Sequence, residues 1–246
     1  TAKILRDMGY EEVNLNLGCP SGTVVSKKRG SGFLAFPEQL DRCLYEIFSG
    51  LDMKISVKTR IGKEEPEEFL RLLEIYNQYG MEELIIHPRV QRDLYKKTPR
   101  MQIFDWAFLH SRNPVCYNGD LFRAEDTKKI LGKFPALPAV MLGRGIVANP
   151  GLLQDLKEEP PAARERSPDS SESHDRLLSQ KRKLREFHDR LYEACQQTYL
   201  SSAGPRVVLF KMKEVWCYLF TAFEDGEKPG KQIKKSRTLT QYEAAV

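Results

Sequence analysis

Five short apolar runs punctuate the first 145 residues: "VNLNLG" (13–18), "KISVKTR" (54–60), "ELIIHPR" (83–89), "PVCYNGD" (114–120) and "PAVMLGRG" (138–145). Each is short and rich in β-forming residues, which predicts strands. Between them lie stretches with apolar residues at helical spacing: "PEQLDRCLYEIFSG", "EEPEEFLRLLEIYNQYG", "FDWAFLHSR" and "AEDTKKILGKF". Pro37 and Pro66 stand where first helical turns begin, and Gly50 and Gly80 where helices end. Strand and helix in alternation predict parallel βαβ units.

Polar residues follow every run: Cys19, Lys58 with Arg60, His87 with Arg89, Asn118 with Asp120, and Arg144. In a β/α barrel the C-terminal ends of the strands converge on one face, and that face holds the active site. One polar residue at one strand end carries no information, but a polar residue at all five forms a pattern. Residues 158–175, "EEPPAARERSPDSSESHD", are rich in Pro, Ser and charge and read as a linker. Helical spacing returns after it, with an apolar stripe at Leu177, Leu184, Phe187 and Leu191. The predicted organisation is a barrel-type domain over 1–157, a linker over 158–175 and a small helical domain over 176–246.

Composition narrows the class. The chain has 246 residues, 41% of them hydrophobic, enough for one large core or a core with a small second domain. No apolar run approaches the length of a membrane span. The opening "TAKILRDMGY" is charged, lacks an initiator Met and reads as the tail of a helix, so an N-terminally incomplete chain without a signal peptide is expected. Five cysteines, an odd number with no C-x-x-C pair, argue against a metal site or a disulfide framework and fit a reducing cytoplasm. The net charge of +5 is unevenly spread: residues 176–246 carry 14 Lys and Arg against 8 Asp and Glu, while the rest is nearly neutral. A basic module beside a neutral one suggests a polyanionic partner, with nucleic acid as the first candidate.

Two glycine motifs invite a dinucleotide reading. "GSGFLA" (30–35) follows "SKKR", which is no strand, and reads better as a turn entering a helix. "GRGIVA" (143–148) follows a strand and precedes a helix at "NPGLLQDL", but the acid expected about 20 residues on would fall in the Pro/Ser stretch. What survives is a Gly-rich turn whose backbone N–H groups suit a phosphate, with Arg144 adding a charged fork.

The stretch "LNLGCPSGTVVSKKRGSGFL" resembles the signature of the tRNA-dihydrouridine synthases, flavin enzymes that reduce uridine in tRNA: N-x-G-C-P, a basic stretch, then a Gly-rich turn. Four further segments agree in order and spacing: "SVKTRIG", "IIHPRVQRDLYKKT", "YNGD" and "VMLGRG…NP". The resemblance implies an FMN-binding (β/α)8 barrel followed by a helical RNA-binding domain. Cys19 corresponds to the family's proton donor, Lys58 to the lysine at the pyrimidine end of the flavin, and His87 to the histidine near it. Asn118, Gly119 and Asp120 fall on a flavin-contacting loop, and Gly143 and Arg144 on the phosphate-binding turn. NADPH would recharge the flavin. The family's first barrel strands have no counterpart here. Five strands of an expected eight would expose inner faces and an open edge, and alone should bind flavin poorly or aggregate.

The chemistry follows from the residues. Hydride adds at C6 of uracil and a proton must reach C5. Flavin carries the hydride, and the protein must supply an acid on the other face of the base. A thiol, mostly protonated at neutral pH, suits that task. Gly18 permits the sharp turn and Pro20 stiffens the step after it, holding Cys19 at the lip. A cation at Lys58 would stabilise reduced flavin. Lys27, Lys28 and Arg29, with Arg89 and Arg92, would meet phosphates flanking a uridine drawn out of the tRNA, and Tyr95 would stack or line the pocket. Lys234 and Lys235 would grip the RNA backbone. The rival readings are a flavin-barrel oxidoreductase acting on a free small molecule and a non-catalytic RNA-binding barrel. No membrane and no metal are expected, and a monomer is the expected state.

Overall fold

A computed structural model describes residues 2–157, 171–220, 223 and 227–246. Its chain order begins with α1 (Ala2–Asp7), β1 (Glu12–Leu17), α2 (Gly22–Val25), a 3-10 turn (Gly30–Ala35), α3 (Pro37–Gly50), β2 (Lys54–Arg60), α4 (Glu68–Tyr76) and β3 (Leu84–His87). There follow a 3-10 turn (Gln91–Asp93), α5 (Met101–His110), β4 (Val115–Tyr117), α6 (Ala124–Lys133) and β5 (Ala139–Val140). The seven strand and helix predictions up to β4 need only a shift of a few residues at their ends, because the apolar spacing there coincides with burial. The fifth run departs more. Only two of its residues form a strand, and "GRGIVA" itself becomes the short helix α7 (Arg144–Ala148), ahead of α8 (Leu152–Lys157).

The five strands form one parallel sheet in the order β1-β2-β3-β4-β5. A doubly wound sheet must reverse strand order at a switch point, and this sheet does not. Helices α4 and α5 pack on one face of it. Tyr76 of α4 hydrogen-bonds Thr59 of β2 at 2.9 Å, and Phe104 of α5 packs edge-on against Tyr117 of β4 at 4.9 Å. The stacked pair Phe48 and Tyr79, 5.1 Å apart, joins α3 to the chain after α4. That layer holds a buried core of Leu40, Leu44, Phe69, Leu72, Leu73, Tyr76 and Phe104. Sequential parallel strands with helices on one face are the arrangement of β/α barrels.

Side chains alternate across a strand, so the opposite face carries every second residue. One rung of it reads Asn16, Lys58, Ile85, Cys116, Ala139, and two residues further along Arg60 stands beside His87. The polar strand-end residues Lys58, Arg60 and His87 therefore share the face opposite the one on which α4 and α5 pack.

The chain divides into two compact units, one running through Gly119 with Lys133–Met141, the other comprising Asp120–Gly132 and Leu142–Val246. The second contains α9 (Ser171–Ala203), α10 (Pro205–Leu219), α11 (Glu227–Lys235) and α12 (Leu239–Glu243). Of the linker expected over 158–175, residues 158–170 lie outside the described residues, while 171–175 are helical. Ser and Asp read as loop formers there, yet the same residues favour helix starts. Gly204, at φ +82, adopts the left-handed conformation that ends α9, and Pro205 opens α10. Leu209, Met212, Ile233 and Tyr242 form a small buried core of this unit, with Leu191 of the predicted stripe packed on it. The side chain of Leu177 lies outside the described residues.

Candidate active site

The chain leaves β1 at Leu17 and turns through Gly18, Cys19 and Pro20. Backbone contacts fix this turn. The side-chain oxygen of Asn16 accepts from the N–H groups of Gly18 and Cys19, both at 3.1 Å, an Asx turn at the strand end. The Cys19 carbonyl accepts from the backbone N–H of Ser31 at 3.0 Å and from its hydroxyl at 2.8 Å. Gly30 lies beneath at φ +54, and a Cβ there would come within 2.7 Å of the Cys19 carbonyl oxygen. The "GSG" motif is thus the seat of the cysteine, a buried 3-10 turn that leads into α3. On the other side, the Arg60 Nε donates to the Gly18 carbonyl at 3.1 Å and its Nη1 to the Val90 carbonyl at 2.9 Å.

Lys58 projects toward the same turn, with its Nζ 3.7 Å from where a Gly18 Cβ would stand. Among the described residues this half-buried ammonium has no hydrogen bond or ion pair. Burial, and secondarily the Arg60 charge, pull its pKa below the usual lysine value, with Cys116 and Cys19 acting in the opposite sense. A partly desolvated cation beside a second cation is an environment that wants an anion.

His87 is 5% exposed and its tautomer follows from its neighbours. Arg89 can only donate, so its Nη1, 3.1 Å from His87 Nε2, makes that nitrogen an acceptor. The proton then sits on Nδ1 and is donated to the Asn118 side-chain oxygen at 3.1 Å, while Asn118 Nδ2 donates to the Met141 carbonyl at 2.8 Å. Burial first, then the Arg60 charge, hold the imidazole pKa down to about 3, outweighing the Asn118 hydrogen bond. His87 is neutral across the physiological range.

This has a consequence for stability. The unfolded chain protonates His87 near the ordinary value of 6.5 and the folded chain resists, so the unfolded state binds more protons between about pH 3 and 6.5. The contribution is whole above that window and is lost as pH falls through it, by about 2 kcal/mol from roughly pH 7.5 to pH 5. Thermal melting of wild type and His87→Gln across that range measures it. The wild type should lose more stability than the variant, and equal slopes would contradict the assignment.

The remaining predicted residues divide. Tyr95 meets His87 edge-on at 6.1 Å, and the Arg60 guanidinium lies over its ring at 5.2 Å. Gly119 lies against Tyr117 and Pro99. Arg89 does not face solvent phosphate. It is 2% exposed and serves His87 and the Lys97 carbonyl, because the chain after β3 folds back over it. Arg92 pairs with Glu65 at 3.0 Å on the surface. Lys27, Lys28 and Arg29 are exposed, with the Lys28 ammonium 4.8 Å over the Phe36 ring. In the second unit Asp120, at φ +46, pairs with Arg144 at 2.8 Å, so each answers the other's charge. Gly143 precedes the five-residue α7, and nothing lies within 4 Å of a Cβ built on it. Lys234 lies 4.8 Å over the Phe220 ring and Lys235 is exposed. Sequence reasoning assigned no role to Asn16 or Ser31, counted Arg60 only among the polar strand-end residues, and read Gly30 as part of a turn without its part in seating Cys19. The visible signal was the position of Asn16 two residues before Gly18 and of Arg60 two after Lys58.

The sequence model of the dihydrouridine synthase family matches residues 1–236. The chain belongs to that family. Among curated relatives, the tRNA-dihydrouridine synthase B of Pasteurella multocida (strain Pm70) is 27% identical over 157 residues, covering 63% of this chain and 47% of its own length. The tRNA-dihydrouridine(20/20a) synthase of Vibrio cholerae serotype O1 (strain ATCC 39315 / El Tor Inaba N16961) is 29% identical over 173 residues, covering 64% and 51%. A probable tRNA-dihydrouridine synthase of Staphylococcus epidermidis (strain ATCC 12228 / FDA PCI 1200) is 28% identical over 152 residues, covering 59% and 46%. The chain spans about half the length of the curated relatives it matches. Among the described residues there is no cluster able to hold a metal ion and no helix long and apolar enough to cross a membrane.

Proposed function

We propose that this dihydrouridine synthase family member reduces the C5=C6 bond of uridine in tRNA, with FMN as its cofactor, NADPH as reductant and Cys19 as the proton donor. In this reading the five strands belong to a closed (β/α)8 barrel, and residues 176–246 form a basic helical module on the RNA. The observation that carries it is the turn at Cys19, seated by Asn16, Ser31 and Arg60 beside the Lys58 ammonium, which has no hydrogen bond or ion pair among the described residues.

The residues fit a flavin. Lys58 offers a desolvated cation for the N1/C2 end of the ring, where negative charge gathers on reduction. His87, Asn118 and Gly119 would line the same cofactor, with the imidazole held neutral and in one tautomer so that it adds no charge. Gly143 and Arg144 would approach the phosphate, with Asp120 setting the arginine's direction. When bound, the flavin supplies hydride to C6. Cys19 then releases its Sγ proton to C5 and must regain one from solvent before the next turnover. Lys27, Lys28 and Arg29 lie exposed on the segment that follows Cys19, positioned to meet phosphates and not bases.

The test uses the full chain purified with its bound flavin and reduced with NADPH without oxygen. Adding tRNA should reoxidise the flavin and yield dihydrouridine in the RNA. Reoxidation by free uridine as fast as by tRNA would favour the small-molecule enzyme, and a colourless protein that binds tRNA would remove the catalytic reading.

A further inference from the structure

Between β3 and α5 the chain makes a loop that is over-fastened for its size. Val90 gives its carbonyl to Arg60 and its N–H to the buried Asp93, which pairs with Arg100. Buried Arg89 holds the Lys97 carbonyl, and the N–H groups of Gln91 and Arg92 reach the carbonyls of Gly62 and Lys63 at 2.9 and 3.2 Å. Within this frame Leu94 stands at φ 50, ψ −103, a conformation a γ-branched residue rarely adopts. Strain of this kind persists only where the surroundings impose it. The fold gains little in return: the Leu94 side chain is 40% exposed and the next residue, Tyr95, 49%. Glycine would fill the turn at lower cost.

What the strain achieves is presentation. It holds an aliphatic tip in water, backed by an aromatic ring that is itself braced by Arg60 and His87. Lys96 and Lys97, both exposed, follow directly. An apolar tip beside cations, one residue from a ring touching His87, matches a nucleic-acid base step and its phosphates. A uridine cannot be reduced while stacked, and apolar side chains inserted between bases are a known way to keep a stack open.

We propose that Leu94, backed by Tyr95, is a wedge that enters the RNA stack and holds the target uridine out of it. The inference rests on the tRNA-reducing function proposed above. Leu94 is a positioning residue in this scheme and takes no part in the chemistry.

The test is the series Leu94→Met, Leu94→Ala and Leu94→Gly in the full chain, measuring melting temperature, flavin content and kcat/KM on folded tRNA. Stability and activity should run in opposite directions. Leu94→Gly relieves the backbone and should melt no lower than wild type, yet lose about ten- to a hundredfold in kcat/KM, the scale of holding one base step unstacked. Leu94→Met should stay near wild type and Leu94→Ala fall between. Full activity in Leu94→Gly, equal loss in Leu94→Met, or activity that follows melting temperature overturns the wedge while leaving the enzyme reading intact. A wild-type protein that leaves tRNA unreduced removes both.

Discussion

Cys19→Ala is expected to cut dihydrouridine formation by roughly 10²- to 10⁴-fold, the range associated with a positioned general acid. Flavin content, melting temperature and tRNA affinity should stay close to wild type. The expectation is this sharp because of how the cysteine is held. Among the described residues the hydrogen bonds that fix the turn are made by its backbone: the N–H to Asn16, the carbonyl to Ser31. Sγ makes no hydrogen bond among the described residues, and the residue is only half-buried. Truncation to alanine therefore removes the proton and little else. Cys19→Ser tests the same point from the other side, since a hydroxyl keeps the shape but is a far weaker acid, and it should be nearly as inactive. The measurement is single-turnover reoxidation of the reduced flavin by tRNA, with the RNA product quantified. Wild-type turnover in Cys19→Ala would end the assignment.

How far the site was legible depended on whether its determinants were local. β2 ends at Arg60 as its apolar run predicts, because alternation and burial coincide there. Lys58 and His87 were readable because a polar residue at a buried strand end is unusual wherever it occurs. The seat of Cys19 was not. Ser31 lies 12 residues from the carbonyl it bonds, and Gly30 looked like a turn glycine until the chain folded back onto the cysteine. Arg60 and Arg89 look alike in sequence, each a basic residue at the end of an apolar run. One bonds carbonyls of two different loops and the other a histidine two residues away, and only the tertiary path decides which. The fifth strand run shows the converse limit. Its apolar residues were real, but Gly143 broke the pattern and the remainder coiled into α7.

Arg60→Met is expected to lower stability by about 2–4 kcal/mol and turnover by more than tenfold. The guanidinium is 2% exposed and donates to the Gly18 and Val90 carbonyls. Removing it strands two acceptors, each worth about 1–3 kcal/mol when left unpaired in a buried site. Two effects oppose the loss. A buried charge no longer has to be desolvated, and its repulsion on Lys58 disappears. Asp93 is engaged with Arg100, so methionine leaves no carboxylate unpaired, but it supplies no donor to the two carbonyls, and their loss sets the sign. The activity loss has a separate origin. Arg60 joins the Cys19 turn to the loop of Val90 and Tyr95, so its removal uncouples the proposed proton donor from the wall beside His87. Arg60→Lys discriminates between charge and fork. One ammonium keeps the cation but cannot reproduce the planar two-carbonyl geometry. Denaturant melts should therefore place it between wild type and Arg60→Met, and its turnover should remain low. If Arg60→Lys restores full turnover, the arginine acts through its charge alone and the clamp between the two loops has no part in catalysis.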